Sequence, residues 1–332
     1  MEALVLGGTG FIGGQIARAA LEAGWSVRVL RRRPGAVGAL GDRADEIAWV
    51  EGRLEDREAL RAAMAGCDLV FHTAAYYPQD SQGIEGHVRR GLAQITQVLE
   101  AVRAVGVPRL IYTSSLTTIG LPTEPGRLAD ERDAYRPGSL PSAYYETKYA
   151  MEQAVLRAAA QGLDAVVLCP TAVFGPGDVK PTTGRILLAV ARSGLPLGPG
   201  KRVGLFPYVH AWINVVDVRD VAAAHLAAAE RGRSGERYIV GGHNLTLREA
   251  LTTVARTVGI RPLWLPLPRS LVLGAVRLAV RLDLPLSEHL RGLSHWQPLS
   301  TVKAEQLLGL RPRPFEETIR DAIAWFRQEG YL

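Results

Sequence analysis

Cysteine, lysine and asparagine are scarce in this chain of 332 residues, which contains two, four and two of them. Cys67 and Cys169 both lie in or beside apolar runs that are typical of buried strands. Two such cysteines exclude a disulfide framework and a cysteine-rich metal site. Because the histidines show no metal-ligand spacing either, the sequence predicts no metal site.

The sequence also lacks an uninterrupted apolar run long enough to cross a membrane. Its most apolar region, residues 263–286, contains Arg269, Arg277, Arg281 and Asp283. These charges make the region too polar for a spanning helix.

Positive charge is in excess but is not concentrated. The formal net charge is +6 and the isoelectric point is about 9.5, yet the only tight basic cluster is Arg31 to Arg33. Without a basic stripe interleaved with aromatic residues, nucleic acid is not expected as a partner. We therefore expect a small-molecule substrate and neither a nucleic-acid nor a membrane partner, while a homodimer remains open.

A glycine-rich turn, Gly7-Gly8-Thr9-Gly10-Phe11-Ile12-Gly13, lies between an apolar strand and a helical pattern. Gly7 and Gly10 permit a tight turn and let the backbone approach a pyrophosphate, whereas Gly13 lets the helix pack closely on the strand. Free N–H groups at the helix start, where Phe11 and Ile12 lie, face the phosphates. The order of strand, glycine-rich turn and helix predicts a dinucleotide site.

Because the turn begins at residue 7, we expect no signal peptide and a cytoplasmic protein.

The residues after the second predicted strand indicate which dinucleotide is bound. An NAD site usually places a carboxylate on the ribose about 20 residues past the glycines. This chain has Arg31, Arg32 and Arg33 there, and its next carboxylate is Asp42. A guanidinium binds a 2′-phosphate that a carboxylate would repel. NADP(H) is therefore favoured, with NAD(H) and a merely solvated basic loop as the alternatives.

Strands and helices alternate through the first half of the chain. This alternation predicts an α/β fold, a Rossmann-type doubly wound parallel sheet with ligands at the carboxyl ends of its strands. Strands are predicted at residues 3–6, 26–30, 47–50, 68–72, 109–113 and 164–168, and helices at residues 11–23, 57–64, 91–105 and 143–161.

The composition changes after Phe174, where Pro and Gly become frequent. Residues 212–218 predict a strand that returns to the sheet, with Asp217 capping the helix that follows, and residues 238–240 predict one more strand. From Thr246 onward the pattern is helical. We expect residues 1–172 and about 209–242 to form the NADP-binding domain. Residues about 173–208 and 243–332 would then form a smaller, mostly helical substrate-binding lobe.

Tyr144 and Lys148 are four residues apart in a segment that can form one helix, so both side chains share a face. A nearby ammonium group lowers the pKa of a phenol, as acid–base catalysis requires. Ser115 follows the strand at residues 109–113 and faces the same crevice. A Tyr-x-x-x-Lys pair occurs often by chance, but its combination with the glycine-rich turn and this serine does not.

These motifs together resemble the extended short-chain dehydrogenase/reductase family of the NAD-dependent epimerase/dehydratase type, in its dihydroflavonol-4-reductase-like or 3β-hydroxysteroid dehydrogenase-like branch. The resemblance covers nearly the whole chain. It implies that Tyr144 transfers the substrate proton, that Lys148 also binds the nicotinamide ribose, and that Ser115 orients the substrate oxygen. The cofactor-binding residues that we predict are Gly7, Gly10, Phe11, Ile12, Gly13, Arg31, Arg32, Leu54, Ala74, Ala75, Thr113, Tyr144, Lys148, Pro170 and Val173. The substrate contacts that we predict are Tyr76, Tyr77, Thr117 and Phe174.

Some positions depart from the family pattern. Arg53 lies where an aspartate is common beside the adenine, and Cys169 replaces a frequent arginine. In the helix at residues 91–105 the family begins with Asn and carries Gly-Thr, whereas this chain has Gly91, Gln94 and Ile95. The close helix packing and proton-relay support of that segment are therefore open.

Three functions are compatible with these residues. The first is an NADP(H)-dependent oxidoreductase that interconverts a carbonyl and an alcohol, with an apolar stretch at residues 263–273 suited to a partly apolar substrate. The second is a nucleotide-sugar epimerase or dehydratase that retains NAD(P). The third is a non-catalytic NADP(H)-sensing regulator, which the intact Ser115, Tyr144 and Lys148 argue against.

Overall fold

The computed structural model describes residues 1–74, 76–78, 80–180, 182–198, 201–282 and 291–332. Seven strands form a parallel sheet: β1 (Glu2–Leu6), β2 (Ser26–Arg31), β3 (Ala48–Glu51), β4 (Leu69–His72), β5 (Arg109–Thr113), β6 (Ala165–Pro170) and β11 (Arg237–Val240). Their order across the sheet is β11-β6-β5-β4-β1-β2-β3. The predicted Rossmann-type parallel sheet is thereby confirmed.

Ten described helices and three short 3₁₀ helices accompany the strands. The helices are α1 (Phe11–Glu22), α2 (Arg57–Met64), α3 (Ile84–Val105), α4 (Ala143–Ala160), α5 (Gly184–Ser193), α6 (Val218–Arg231), α7 (Leu247–Thr257), α8 (Arg269–Arg281), α9 (Val302–Leu308) and α10 (Phe315–Gln328). The 3₁₀ helices are Gly38–Glu46, Leu116–Thr118 and Leu293–His295. Among the described helices, none is long and apolar enough to cross a bilayer.

Alternating side chains of the parallel strands bury both faces of the sheet. In β1, Leu4 and Leu6 point into a core that α2, α3 and α4 cover, whereas Ala3 and Val5 point into a second core beneath α1 and α6. The chain winds outward from β1 in one direction through β3 and in the other from β4. This reversal opens a crevice between the carboxyl ends of β1 and β4, where such folds bind ligands.

The second half of the chain adds two small sheets and a third core. One sheet joins β7 (Ala172–Phe174), β10 (Trp212–Asp217) and β12 (His243–Thr246), and the other joins β8 (Leu195–Gly198), β9 (Lys201–Tyr208) and β13 (Ile260–Pro266). The third core includes Phe206, Ile260 and Phe326. Its assignment to a separate substrate-binding lobe stays a prediction.

Two sequence predictions about this half are wrong. The strand at residues 212–218 does not return to the main sheet, because β10 pairs in parallel with β7 and antiparallel with β12. The main sheet is completed instead by β11, which pairs with β6. Strand β13 interrupts the region that was expected to be helical from Thr246 onward. By contrast, Asp217 caps α6 as predicted, accepting a hydrogen bond from the Arg219 amide.

Candidate active site

The glycine-rich turn at the end of β1 is too crowded for larger residues. Gly7 has a φ of +95°, and a Cβ on it would lie 2.6 Å from Thr73 Oγ1 and 2.7 Å from the Ala74 nitrogen. A Cβ on Gly13 would clash with the Gly7 carbonyl. The turn therefore brings bare backbone to the mouth of the crevice, which is what a bound pyrophosphate requires.

The first turn of α1 offers backbone donors at this point. Gly10 is the N-cap and supplies no side-chain acceptor, so the amides of Phe11 and Ile12 are not capped by a side chain. Uncapped amides and the positive end of the helix dipole together suit an anion. These features fit the pyrophosphate of a dinucleotide.

The three arginines after β2 lie in different environments. Arg31 forms an ion pair with Glu51 at 3.4 Å, and its guanidinium lies 4.8 Å from the centre of the Trp49 ring. Arg32 and Arg33 are exposed and have no ion-pair partner within the described part of the chain. The loop that follows them folds back onto the glycine-rich turn, since a Cβ on Gly38 would clash with the Thr9 carbonyl. Arg32 and Arg33 are thus the guanidinium groups that remain available there.

The three proposed catalytic residues come together at the carboxyl edge of the sheet. The Tyr144 hydroxyl donates a hydrogen bond of 3.5 Å to Ser115 Oγ. Ser115 is fixed at the start of a 3₁₀ helix, where its Oγ accepts from the Thr117 amide. Ser142 caps α4 and thereby sets the position of Tyr144 in its first turn, with Lys148 one turn further along. A long hydrogen bond of this kind shortens when a substrate oxygen joins the pair.

Burial is the main influence on the pKa values of Tyr144 and Lys148. It raises the pKa of Tyr144 to about 12, although the hydrogen bond to Ser115 acts in the opposite direction. It lowers the pKa of Lys148 to about 8, against the attraction of Glu152. Tyr144 therefore does not have the lowered pKa that the sequence predicted, because loss of hydration favours the neutral phenol. At neutral pH Tyr144 carries its proton and can donate it.

Several buried polar atoms around the crevice have no partner among the described residues. Lys148 is almost fully buried but makes neither a hydrogen bond nor an ion pair there. Thr117 Oγ1 and both ring nitrogens of His72 are unpaired as well. Burial lowers the pKa of His72 to about 3, so this imidazole is neutral. Unpaired buried groups are costly unless a ligand satisfies them, and the free Lys148 ammonium fits the ribose hydroxyls of a nicotinamide nucleotide.

A buried ion pair supports these residues from below. Glu152, one turn after Lys148, is fully buried and lies 2.9 Å from Arg237 Nε of β11. Its other oxygen accepts from Thr118 Oγ1 at 2.7 Å and from Ser114. No residue of this network was predicted from the sequence. Glu152 shares a helix face with Tyr144 and Lys148 and could have been found by its spacing, but Arg237 is distant in sequence and could not.

The predicted substrate contacts separate into different environments. The Tyr77 ring lies 4.8 Å from the Tyr144 ring and is about half exposed. The Tyr76 hydroxyl instead bonds His87 Nδ1 at 2.7 Å. Phe174 is buried 5.4 Å from Phe315 in the third core, and this packing leaves its predicted substrate contact without support.

The remaining predicted cofactor contacts lie at the carboxyl ends of the strands or beneath them. The Thr113 hydroxyl is bonded to His225 at 2.8 Å inside the fold, and Leu54 is part of the core. Pro170 ends β6 and Val173 lies in β7, the strand that directly follows it. Ala75 lies outside the described residues.

Gly91 preserves close packing where the sequence departs from the family pattern. A Cβ at this position would clash with Thr147 Cγ2 and would lie 3.2 Å from Met151 Sδ, both on α4. Helices α3 and α4 therefore approach each other at Gly91, while Ile95 is fully buried and Gln94 donates to Glu55. The sequence did not decide whether these helices pack closely, and in the structure α3 and α4 do so at Gly91.

Known proteins share this architecture over the whole chain. The profile of the NAD dependent epimerase/dehydratase family matches residues 3–241. A protein from Synechocystis named putative dihydroflavonol 4-reductase is 35% identical over 99% of this chain and 95% of its own length. Sterol demethylase protein B from Methylococcus capsulatus is 30% identical over 100% of both chains. The crystal structure of a nucleoside-diphosphate-sugar epimerase from Pseudomonas aeruginosa is 28% identical, with a TM-score of 0.82 over 100% of this chain and 99% of that one.

Proposed function

Because the chain belongs to the NAD-dependent epimerase/dehydratase family, we propose that it is an NADP(H)-dependent oxidoreductase that interconverts a carbonyl and an alcohol on a small, partly apolar substrate. The observation that carries this proposal is the half-buried Tyr144, whose hydroxyl donates to Ser115, with an unpaired Lys148 one turn away. Membership of the family makes the chain an NAD(P)-dependent oxidoreductase. The direction of the reaction, the preference for NADP(H) over NAD(H) and the substrate class are parts of our proposal.

In the reductive direction the residues divide the work as follows. When bound, NADPH supplies the hydride that reaches the carbonyl carbon. Ser115 Oγ holds the carbonyl oxygen, and Tyr144 donates its proton to that oxygen as the C–O double bond becomes an alcohol. The resulting phenolate is stabilised by the Lys148 ammonium on the same helix face. A tyrosine with a pKa of about 12 is in its donor form when the reaction begins.

The preference for NADP(H) rests on Arg32. It is exposed at the end of β2, without an ion-pair partner in the described residues, whereas Glu51 already engages Arg31. The loop after it returns to the glycine-rich turn at Gly38. A 2′-phosphate bound after β2 would therefore contact the guanidinium of Arg32, and residues 31–33 contain no carboxylate that would repel it.

The substrate proposal rests on the aromatic wall of the crevice and on the relatives. The Tyr77 ring is tilted against the ring of Tyr144 and offers an apolar surface beside it. The two relatives described above are named for a dihydroflavonol and a sterol, which are largely apolar ring systems. We assign substrate binding to residues about 173–208 and 243–332, and cofactor binding to residues 1–172 and about 209–242.

The test is to follow NADPH and NADH oxidation with a panel of cyclic and open-chain carbonyl compounds. The unaltered protein should favour NADPH, and Arg32→Asp should lose a charge-assisted contact worth roughly 1.5–3 kcal/mol. This substitution should raise the KM for NADPH and leave the KM for NADH nearly unchanged. Arg89→Asp, which alters an exposed arginine on α3, is the matched control. Equal affinity of the unaltered protein for both cofactors would contradict the proposal.

The second candidate is a nucleotide-sugar epimerase. It is favoured by the likeness to the Pseudomonas aeruginosa structure that is described as one. An epimerase returns the hydride to the sugar and keeps its cofactor, so the purified protein would carry tightly bound NAD(P) and show no net NADPH oxidation. Cofactor released on denaturation of the purified protein distinguishes the two candidates directly. Reversible NADPH binding without any turnover would instead indicate a regulator.

A further inference from the structure

Helix α8 (Arg269–Arg281) has apolar side chains on two opposite sides. Its inner side packs Val272 and Leu273 into a small cluster that also contains Leu293. Its outer side carries leucines that no described part of the chain covers, with Leu271 66% and Leu278 57% exposed. The outer stripe consists of Leu271, Ala275, Leu278 and, just past the helix, Leu282. Because this spacing of four, three and four residues follows the helical period, the stripe is continuous along one side.

All charges on this helix are positive. Arg277 and Arg281 flank the outer stripe, Arg269 begins the helix, and the helix contains no acidic residue. None of these arginines forms an ion pair with a carboxylate of the described residues. A continuous apolar stripe beside unpaired cations is the pattern of a helix that lies in the interface of an anionic bilayer.

We propose that α8 docks the protein on the surface of a bilayer that contains anionic phospholipids. The outer leucines enter the boundary between headgroups and acyl chains, while Arg277 and Arg281 extend to the lipid phosphates. The arginines that make this region too polar to span a membrane are therefore the groups that hold α8 on the bilayer surface. A second copy of the chain fits this side less well, because two-fold pairing would bring the same arginines of both copies together.

The docking helix is close to the proposed reaction site. Leu293, which belongs to the cluster that Val272 and Leu273 pack against, begins the short helix Leu293–His295. The His295 ring lies 6.2 Å from the ring of Tyr145, the neighbour of Tyr144 on α4. One short turn thus separates the membrane-facing helix from the catalytic helix. The docking proposal does not depend on the proposed reaction, and its test uses neither cofactor nor substrate.

The test is co-sedimentation of the full chain with phosphatidylcholine vesicles prepared with and without phosphatidylglycerol. Binding should require phosphatidylglycerol and should weaken at high salt. The double variant Leu271→Ser/Leu278→Ser should lower vesicle partitioning by about tenfold or more, whereas Leu121→Ser/Leu128→Ser, which changes exposed leucines elsewhere, should not. Arg277→Glu/Arg281→Glu should lower it as well, while Arg89→Glu/Arg320→Glu changes the net charge equally and should have a much smaller effect.

The contrary outcomes are equally definite. Failure of the unaltered protein to sediment with phosphatidylglycerol vesicles overturns the proposal, and so does an equal loss of binding in each variant and its control. Sedimentation velocity without lipid tests the other occupant of this side. A stable dimer that only the Leu271→Ser/Leu278→Ser variant dissociates would assign the stripe to a second copy of the chain.

Discussion

Two adjacent tyrosines on α4 face different surroundings. Tyr144 bonds Ser115, whereas the Tyr145 ring is buried beside Tyr135 and His295. On a helix, neighbouring side chains point about 100° apart, so only Tyr144 shares a face with Lys148. The sequence spacing alone assigned the roles in this order, and the hydrogen bond to Ser115 supports it.

Replacement of Tyr144 by Phe should abolish most activity without disturbing the fold. The ring and its contact with Tyr77 remain, but the hydroxyl that donates the proton is removed. We expect turnover to fall by roughly 10²–10⁴-fold, with cofactor affinity nearly unchanged. Steady-state rates and cofactor titration measure the two effects. Tyr145→Phe is the control and should retain most activity, and normal turnover of Tyr144→Phe would refute the assignment.

The pKa of Lys148 predicts how activity depends on pH. Burial lowers this pKa to about 8, so the ammonium is charged below that pH and neutral above it. Only the charged form stabilises the Tyr144 phenolate by its charge, and it also donates the stronger hydrogen bonds to ribose hydroxyls. The kcat/KM for NADPH should therefore be level below pH 8 and fall above it by about tenfold per unit.

Lys148→Arg separates this titration from others in the site. Arginine keeps its charge throughout the range, so any activity that it retains should lose the fall above pH 8. A fall at the same pH in the variant would assign the titration to another group.

At the scale of elements, the contact between α3 and α4 depends on one glycine. A Cβ at Gly91 would clash with Thr147, whose branched side chain has few rotamers available within α4. Gly91→Ala should therefore destabilise the protein by roughly 1–3 kcal/mol as an overpacked contact. Urea denaturation of the purified variant measures this change.

Gly86 in the same helix provides the matched control. A Cβ there would meet only the end of the Arg90 side chain, at 3.9 Å. Gly86→Ala should stabilise the protein by up to about 1 kcal/mol, because alanine favours a helix. Stabilisation by alanine at both positions would mean that α3 and α4 are not in close contact at Gly91.

At the scale of the whole molecule, one buried ion pair joins the catalytic helix to the last strand of the main sheet. Glu152 on α4 meets Arg237 on β11, and Arg237 also donates to the Thr118 carbonyl at 2.9 Å. Glu152→Gln keeps the shape but leaves the arginine charge uncompensated, which should cost roughly 3–5 kcal/mol of unfolding free energy.

The double variant Glu152→Met/Arg237→Met removes both charges and should recover much of that stability. Urea denaturation of the single and double variants gives the coupling energy. A loss of less than about 1 kcal/mol in Glu152→Gln would show that the pair behaves like an exposed one.

The sequence alone determined the local elements that carry the site. The glycine-rich turn, the position of Ser115 just after β5 and the spacing of Tyr144 and Lys148 depend on neighbours within a few residues. Periodicity and turn chemistry report such neighbours directly. The order of strands and helices predicted the Rossmann-type sheet for the same reason, because short crossover connections permit few topologies.

Only the tertiary structure decided how distant segments pair. Nothing in the run Trp212–Asp217 says whether its partner is β6 of the main sheet or β7, since an apolar strand suits either neighbour. The partnership of Glu152 with Arg237 and the burial that sets the pKa of Tyr144 depend in the same way on packing between remote residues. The pattern of side chains indicates which face of a strand or helix is apolar. Which segment packs against that face is decided only when the chain folds.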